Sequence, residues 1–170
     1  MRRLALVAAL ACLAACGKGQ DDLTARTDAP APDKAPPEWT LQVGGSGASL
    51  GHASQTPSGP VADLKLACLR GGQFEVRVEQ VRPVESEDRL SVGAGGDAYA
   101  MAATAVIEAE PAFVKAAGPI DETLLKLIET GMPISASYGA TPIGPFAAPE
   151  REQLQLFLTA CRILAKEGQG

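Results

Sequence analysis

Few residues of this chain have the types and spacing that catalysis requires. His52 is the only histidine among 170 residues, so a general base of the imidazole type would have to be this residue. Ser46 lies between glycines, but Ala48 stands where the nucleophile-elbow pattern G-x-S-x-G needs its last glycine. Glu108 and Glu110 would share one strand face like a carboxylate pair, with no aromatic sugar platform beside them. These patterns favour a surface or strand-end histidine and a solvated strand edge over a catalytic set.

A glycine-rich segment at residues 93–98 imitates the dinucleotide-binding fingerprint. Such a site needs a helix directly after the glycines and an acidic residue about 20 positions further on, within a parallel βαβ unit. The sequence offers neither a convincing helix here nor the parallel unit, so we interpret the segment as a hairpin turn. No cofactor and no metal site is predicted.

The amino-terminal segment carries the most specific pattern in the chain. Arg2 and Arg3 precede an unbroken apolar run over residues 4–13, and the run ends in Leu13-Ala14-Ala15-Cys16. About ten apolar residues are too few to span a hydrocarbon core that needs roughly 20. We therefore interpret the segment as an export signal and not as a membrane anchor.

The end of this segment resembles the lipobox of bacterial lipoproteins. The resemblance implies cleavage before Cys16, a diacylglycerol on its sulfur and usually an acyl group on the new amino terminus. Residues 1–15, including Cys12, would be removed as a signal peptide. Two or three acyl chains bind a membrane almost permanently, whereas one chain binds reversibly. Because Gly17 and not aspartate follows the cysteine, similarity to the enterobacterial sorting rule indicates the outer membrane. We expect a lipid-anchored protein of the cell envelope that faces the periplasm.

Composition divides the remaining chain into a tether and one domain. Residues 16–37 are rich in proline, glycine and aspartate, so we expect the lipidated end to continue as a disordered tether. Residues 38–167 have the size of a single hydrophobic core, and residues 168–170 form a tail. Without the two signal-segment arginines, 13 of the 15 basic residues remain against 20 acidic ones, a formal charge of −7. That balance argues against nucleic acid as a partner.

Two cysteines would remain as thiols in the exported protein, Cys68 and Cys161. In an oxidising compartment we expect them to be joined. Cys68 alternates with Leu64 and Leu66 on one strand face, while Cys161 shares a helix face with Phe157, so both sulfur atoms would point into one core. A reactive or metal-binding pair is the alternative, but it lacks the Cys-x-x-Cys spacing and the further ligands that such sites use.

Period-two alternation and glycine-rich turns predict an antiparallel sheet of about six to eight strands. The predicted strands cover residues 39–43, 48–52, 64–69, 74–81, 90–92, 98–110 and 132–138. The alanines of 98–110 favour a helix, but its other residues alternate, and a strand would complete a hairpin with 90–92. Asp121 as N-cap and Gly131 as C′ glycine bound a short helix. A last helix of about 17 residues begins near Pro149.

The fold class is therefore α+β, with the C-terminal helix packed on the sheet and bonded to it through the cysteines. A proline-marked loop over residues 140–148 precedes that helix. With Tyr138, the Ile143 and Phe146 of this loop form a candidate partner contact, because apolar side chains on irregular segments are typical of binding surfaces.

This order of elements resembles small envelope proteins of proteobacteria, including accessory proteins of type VI secretion loci. The resemblance rests on Trp39, Leu64-Lys65-Leu66-Ala67-Cys68, the Phe-x-Val-x-Val strand at 74–78, Pro-Ile-x-x-x-Tyr at 133–138 and the closing helix with Phe157 to Cys161. It implies the fold and a Cys68–Cys161 bridge, without an activity.

Two classes of function follow from the sequence. The favoured one is a non-catalytic envelope lipoprotein that binds another envelope protein or supports an envelope assembly, with an inhibitor of a foreign enzyme as a variant. The alternative is a small-ligand carrier or hydrolase that uses His52 and the carboxylates Glu108 and Glu110. That alternative requires these side chains to meet in one concave pocket.

Overall fold

The structure, a computed structural model, describes residues 38–168 except 80, 85, 108, 110 and 111. Within these residues the chain forms nine β-strands and two α-helices. The elements are β1 (Trp39–Gly44), β2 (Gly47–Thr56), β3 (Gly59–Leu69), β4 (Gln73–Val78), β5 (Arg89–Ala94), β6 (Asp97–Val106), β7 (Phe113–Pro119), α1 (Glu122–Glu129), β8 (Ile134–Tyr138), β9 (Thr141–Phe146) and α2 (Arg151–Glu167).

The nine strands form one antiparallel sheet in the order β1-β2-β3-β4-β7-β6-β5-β8-β9. Most pairs are hairpins between chain neighbours, because glycines supply the tight turns. Gly95 and Gly96, with φ of +63° and +102°, make the two-residue turn from β5 to β6, a backbone that other residues rarely adopt. The pairs β4 with β7 and β5 with β8 join strands that are not consecutive. The turn predicted at residues 93–98 is thereby confirmed.

Both helices share one core with one face of the sheet. Helix α2 packs along β1, β2 and β3, and α1 packs beside β5 and β6 and against α2. The apolar stripes of the helices meet the inward residues of the strands in a single buried cluster, which includes Leu50, Leu66, Phe74, Val76, Leu90, Val114, Leu124, Ile128, Ile134, Phe157 and Leu158. Among the described residues, neither helix is long and apolar enough to cross a lipid bilayer.

The predicted cystine is present and fastens the last helix to the sheet. Cys68 of β3 is bonded to Cys161 of α2, with their Cα atoms 5.2 Å apart. Both side chains are fully buried. An antiparallel α+β fold with the C-terminal helix packed on the sheet and disulfide-bonded to it is therefore confirmed.

The sequence prediction missed two strands and placed the start of the last helix two residues early. The sheet has nine strands, not six to eight, because β7 was not predicted and the predicted loop at 140–148 contains β9. This strand accommodates Pro142 and Pro145 because it lies at the sheet edge, where a missing backbone N–H breaks no ladder bond. Helix α2 begins at Arg151, two residues after Pro149, since Glu150 has extended backbone angles and forms the N-cap. By contrast, the ambiguous segment at 98–110 is a strand over Asp97–Val106, as predicted.

A guanidinium joins the two helices at the surface. Arg162 of α2 bonds Glu122 at 3.0 Å and Glu129 at 2.8 Å, at opposite ends of α1. The hydrogen bond from Arg162 lowers the pKa of the Glu129 carboxyl, and both carboxylates raise the pKa of the Arg162 guanidinium. Such exposed pairs add little stability individually, but together they fix the orientation of α1 against α2.

The capping residue of α1 provides a test of the local structure. The Asp121 carboxylate accepts a hydrogen bond from the backbone N–H of Thr123 at 2.6 Å and from the Tyr99 hydroxyl at 3.1 Å. The Thr123 hydrogen bond is the largest cause that lowers the pKa of Asp121. We expect Asp121→Ala to reduce the free energy of unfolding by about 1 kcal/mol at neutral pH, whereas Asp121→Asn keeps the cap and stays close to the parent.

The pH dependence of this effect follows from the direction of the shift. Because the pKa of Asp121 is lower in the folded state, its stabilisation is present above the unfolded pKa of about 3.9 and disappears as pH falls through the folded pKa. Urea unfolding at pH 7 and pH 3 should therefore show a smaller difference between parent and Asp121→Ala at the lower pH. A difference that is the same at both pH values would contradict the interpretation.

Candidate functional site

The most polar buried cluster lies where the two ends of the sheet approach each other. The imidazole of His52, in β2, is only 4% exposed. It stacks on Phe146 of β9 at 3.9 Å between ring centroids and lies in a T-shaped arrangement with Trp39 of β1, with the ring centroids 5.0 Å apart. Since β1 and β9 are the edge strands, these three rings connect opposite ends of the sheet order. The indole of Trp39 strengthens the junction by donating a hydrogen bond to the carbonyl of Ala147 at 2.6 Å.

A buried carboxylate completes the cluster on the other side of the imidazole. Nδ1 of His52 lies 2.8 Å from Oδ2 of Asp63, and the Ser54 hydroxyl donates to the same oxygen at 2.6 Å. Asp63 is 7% exposed. A bulge between β2 and β3 shifts the register after His52, and we attribute the inward direction of Asp63 to this bulge. The pair of buried polar side chains is thus satisfied within the core.

The second imidazole nitrogen of His52 lies near an exposed carboxylate. Nε2 of His52 lies 3.6 Å from a carboxylate oxygen of Glu38, whose side chain is 62% exposed. A hydrolytic triad would place a hydroxyl or thiol nucleophile at this nitrogen, with the buried acid on Nδ1. Ser54 bonds the acid instead, so it is not in the nucleophile position. The arrangement of the described residues orients and buries an imidazole without pairing it with a nucleophile.

This placement corrects the sequence interpretation of His52. The histidine is neither on the surface nor at a strand end, because it continues the inward alternation of Ala48 and Leu50 along β2. That alternation was visible in the sequence. The partners Asp63, Trp39 and Phe146 were not predicted, because a bulge and the approach of two edge strands bring them together. No local signal pointed to Asp63, because Ala62, Asp63, Leu64 and Lys65 keep the regular alternation that would place the aspartate on the outward face.

The three residues of the candidate partner contact, Tyr138, Ile143 and Phe146, lie in different environments. Tyr138 is 3% exposed, and its hydroxyl bonds backbone groups of Val84 and Glu87. Phe146 is half-buried on His52, and Ile143 is half-buried against the core and lines a cavity of about 350 Å³ with residues of β5, β6, β8 and β9. A partner contact at these residues stays a prediction.

The remaining candidates are three residues outside the described part of the chain and a possible metal site. Cys16, Glu108 and Glu110 lie outside the described residues. Within the part of the chain that the structure describes, no group of three or more histidine, cysteine or carboxylate side chains could hold a metal ion. Comparisons with protein-family models, with curated proteins and with solved structures give no match to this chain.

Proposed function

We propose that this protein is a lipid-anchored envelope lipoprotein whose folded domain is a non-catalytic binding or assembly module. The observation that carries the proposal is the sequence Leu13-Ala14-Ala15-Cys16 behind a charged and apolar segment. The Cys68–Cys161 disulfide agrees with it, because such bonds persist in oxidising compartments outside the cytoplasm. On this proposal, acyl chains on Cys16 hold the protein at the outer membrane, with the domain facing the periplasm.

The non-catalytic part of the proposal is supported by the environment of His52. The imidazole stacks on Phe146, meets Trp39 in an edge-type contact, and has the carboxylates of Asp63 and Glu38 near its two nitrogen atoms. The contacts with Trp39, Asp63 and Phe146 connect β2 to three other strands, as expected of a residue that stabilises the fold. A hydrolase or carrier based on His52 would need an open pocket at the ring, whereas the ring is 4% exposed.

The chemistry of Cys16 is tested directly with two matched variants. Mass spectrometry of the purified native protein should show a chain that starts at Cys16 and carries diacylglycerol, and labelled palmitate should be incorporated. We expect Cys16→Ala to abolish the label completely, because the acceptor sulfur is gone. Cys12→Ala should label like the parent, because Cys12 lies in the segment that the proposal removes. An unmodified chain starting at Met1, or equal labelling of both variants, would refute the lipid anchor.

The binding function requires a separate experiment. Envelopes that contain the parent protein are crosslinked, and the captured proteins are compared with those from Cys16→Ala, which has the same domain without the anchor. A defined protein that is enriched with the parent supports an envelope module. If no protein is enriched over this control, the binding function loses its support while the anchor is unaffected.

A further inference from the structure

The outer edge of β1 presents unpaired backbone groups. In the described part of the chain β1 pairs with β2 alone, and the hydrogen bond from Ala53 N–H to the Glu38 carbonyl fixes which residues face that neighbour. In an antiparallel ladder these groups alternate, so Thr40, Gln42 and Gly44 bond β2, while the N–H and C=O of Leu41 and Val43 point outward. Among the described residues, no strand pairs with this edge.

The free stretch of this edge is short and has defined ends. At one end, the amide of Gln153 in α2 donates to the outward carbonyl of Trp39 at 3.4 Å. At the other end, the Arg70 guanidinium bonds the carbonyl of Gly45 in the turn to β2. Residues 40–44 remain between these contacts, and Gln42 is at their centre. The opposite edge strand, β9, carries Pro142 and Pro145, which cannot donate to an added strand.

We propose that a second copy of this chain pairs with β1 in an antiparallel manner, about a two-fold axis at Gln42. In this register Leu41 of one copy lies opposite Val43 of the second copy, and the two residues exchange both backbone hydrogen bonds. The outward groups lie symmetrically about Gln42, so the second copy supplies four hydrogen bonds over the length that is free. A two-fold axis requires this self-complementarity, which other partners would have to match by chance.

Side chains along the edge agree with this register. Val43 is 64% exposed, and in the pair it would lie beside Leu41 of the second copy on the same face. Residues 40–44 contain no charge and no proline, the usual protection of a free edge. Antiparallel pairing also brings the Arg70 end of one copy to the exposed Glu38 end of the other, so the charges at both ends of the interface are complementary.

The register is tested by symmetric crosslinking in the full chain with Cys12→Ala and Cys16→Ala, which makes the test independent of the lipid anchor. Gln42 faces Gln42 of the second copy in a non-hydrogen-bonded pair, where Cα atoms are about 4.5 Å apart, within the range of a disulfide. Thr40 lies on the same strand face, but about 13 Å from Thr40 of the second copy. Under mild oxidation at high protein concentration, we expect Gln42→Cys to form a covalent dimer and Thr40→Cys to stay monomeric.

A second variant weakens the interface without touching the β1–β2 ladder. Val43→Pro removes an outward N–H from each copy, and we expect self-association measured by analytical ultracentrifugation to weaken about tenfold. An unchanged circular dichroism spectrum confirms that the domain is folded. Gln42→Cys that stays monomeric, or Thr40→Cys that crosslinks as readily, would overturn the proposal. Crosslinking of Gln42→Cys in envelopes to a different polypeptide would also overturn it and assign the edge to a foreign strand.

Discussion

Replacing both bridging residues, Cys68→Ala with Cys161→Ala, is expected to lower the free energy of unfolding by about 4 kcal/mol. The bridge spans 93 positions of sequence, so its removal restores a large number of conformations to the unfolded chain. Domains of this size are stable by roughly 5–15 kcal/mol, and the double variant should therefore be marginal at physiological temperature.

The experiment separates the cross-link from the packing of the two side chains. Urea unfolding of the oxidised parent, the reduced parent and the double variant gives three midpoints. If the cross-link accounts for the effect, the reduced parent and the double variant should lose nearly the same free energy. A double variant with the midpoint of the oxidised parent would show that the disulfide contributes nothing to stability. The expectation that it stabilises the packing of α2 on the sheet would then be wrong.

The second large effect is expected at the buried carboxylate. Asp63→Ala removes the acceptor of the His52 imidazole and of the Ser54 hydroxyl, and it leaves both donors buried or partly buried without that partner. Breaking a buried polar pair from one side costs about 3 kcal/mol, because the remaining group keeps its desolvation penalty. Asp63→Asn retains an acceptor oxygen and should lose about 1 kcal/mol.

Two controls determine whether the cluster stabilises the fold. Glu38→Gln alters the exposed partner of His52 and should change stability by less than about 0.5 kcal/mol. In a double-mutant cycle, Asp63→Ala and His52→Ala should be strongly non-additive, because each removes the same contact. If Asp63→Ala unfolds at the same temperature as the parent, the cluster does not stabilise the domain, and the hydrolase alternative regains its main residue.

Local chemistry was sufficient to predict most of the elements. Phe74, Val76 and Val78 alternate behind a glycine turn and belong to β4, and the Asp121 side chain caps α1 as its position indicated. These features depend on neighbours a few positions apart, so the sequence pattern contains their cause. The disulfide could also be predicted, since both cysteines continue the apolar face of their own element.

The contact among Trp39, His52 and Phe146 could not be predicted from the local sequence pattern. It depends on β1 and β9, which lie at opposite ends of the sheet order. Trp39 and Ala147, which are joined by a hydrogen bond at this place, are more than 100 residues apart along the chain. Along most of each strand the sequence alone determined which residues face inward, because the side-chain period of a strand is a local property. Only the tertiary structure decided that β9 is an edge strand that tolerates two prolines and that a bulge turns Asp63 toward His52. Strand order and sheet curvature arise from the packing of the whole core, and no short segment encodes them.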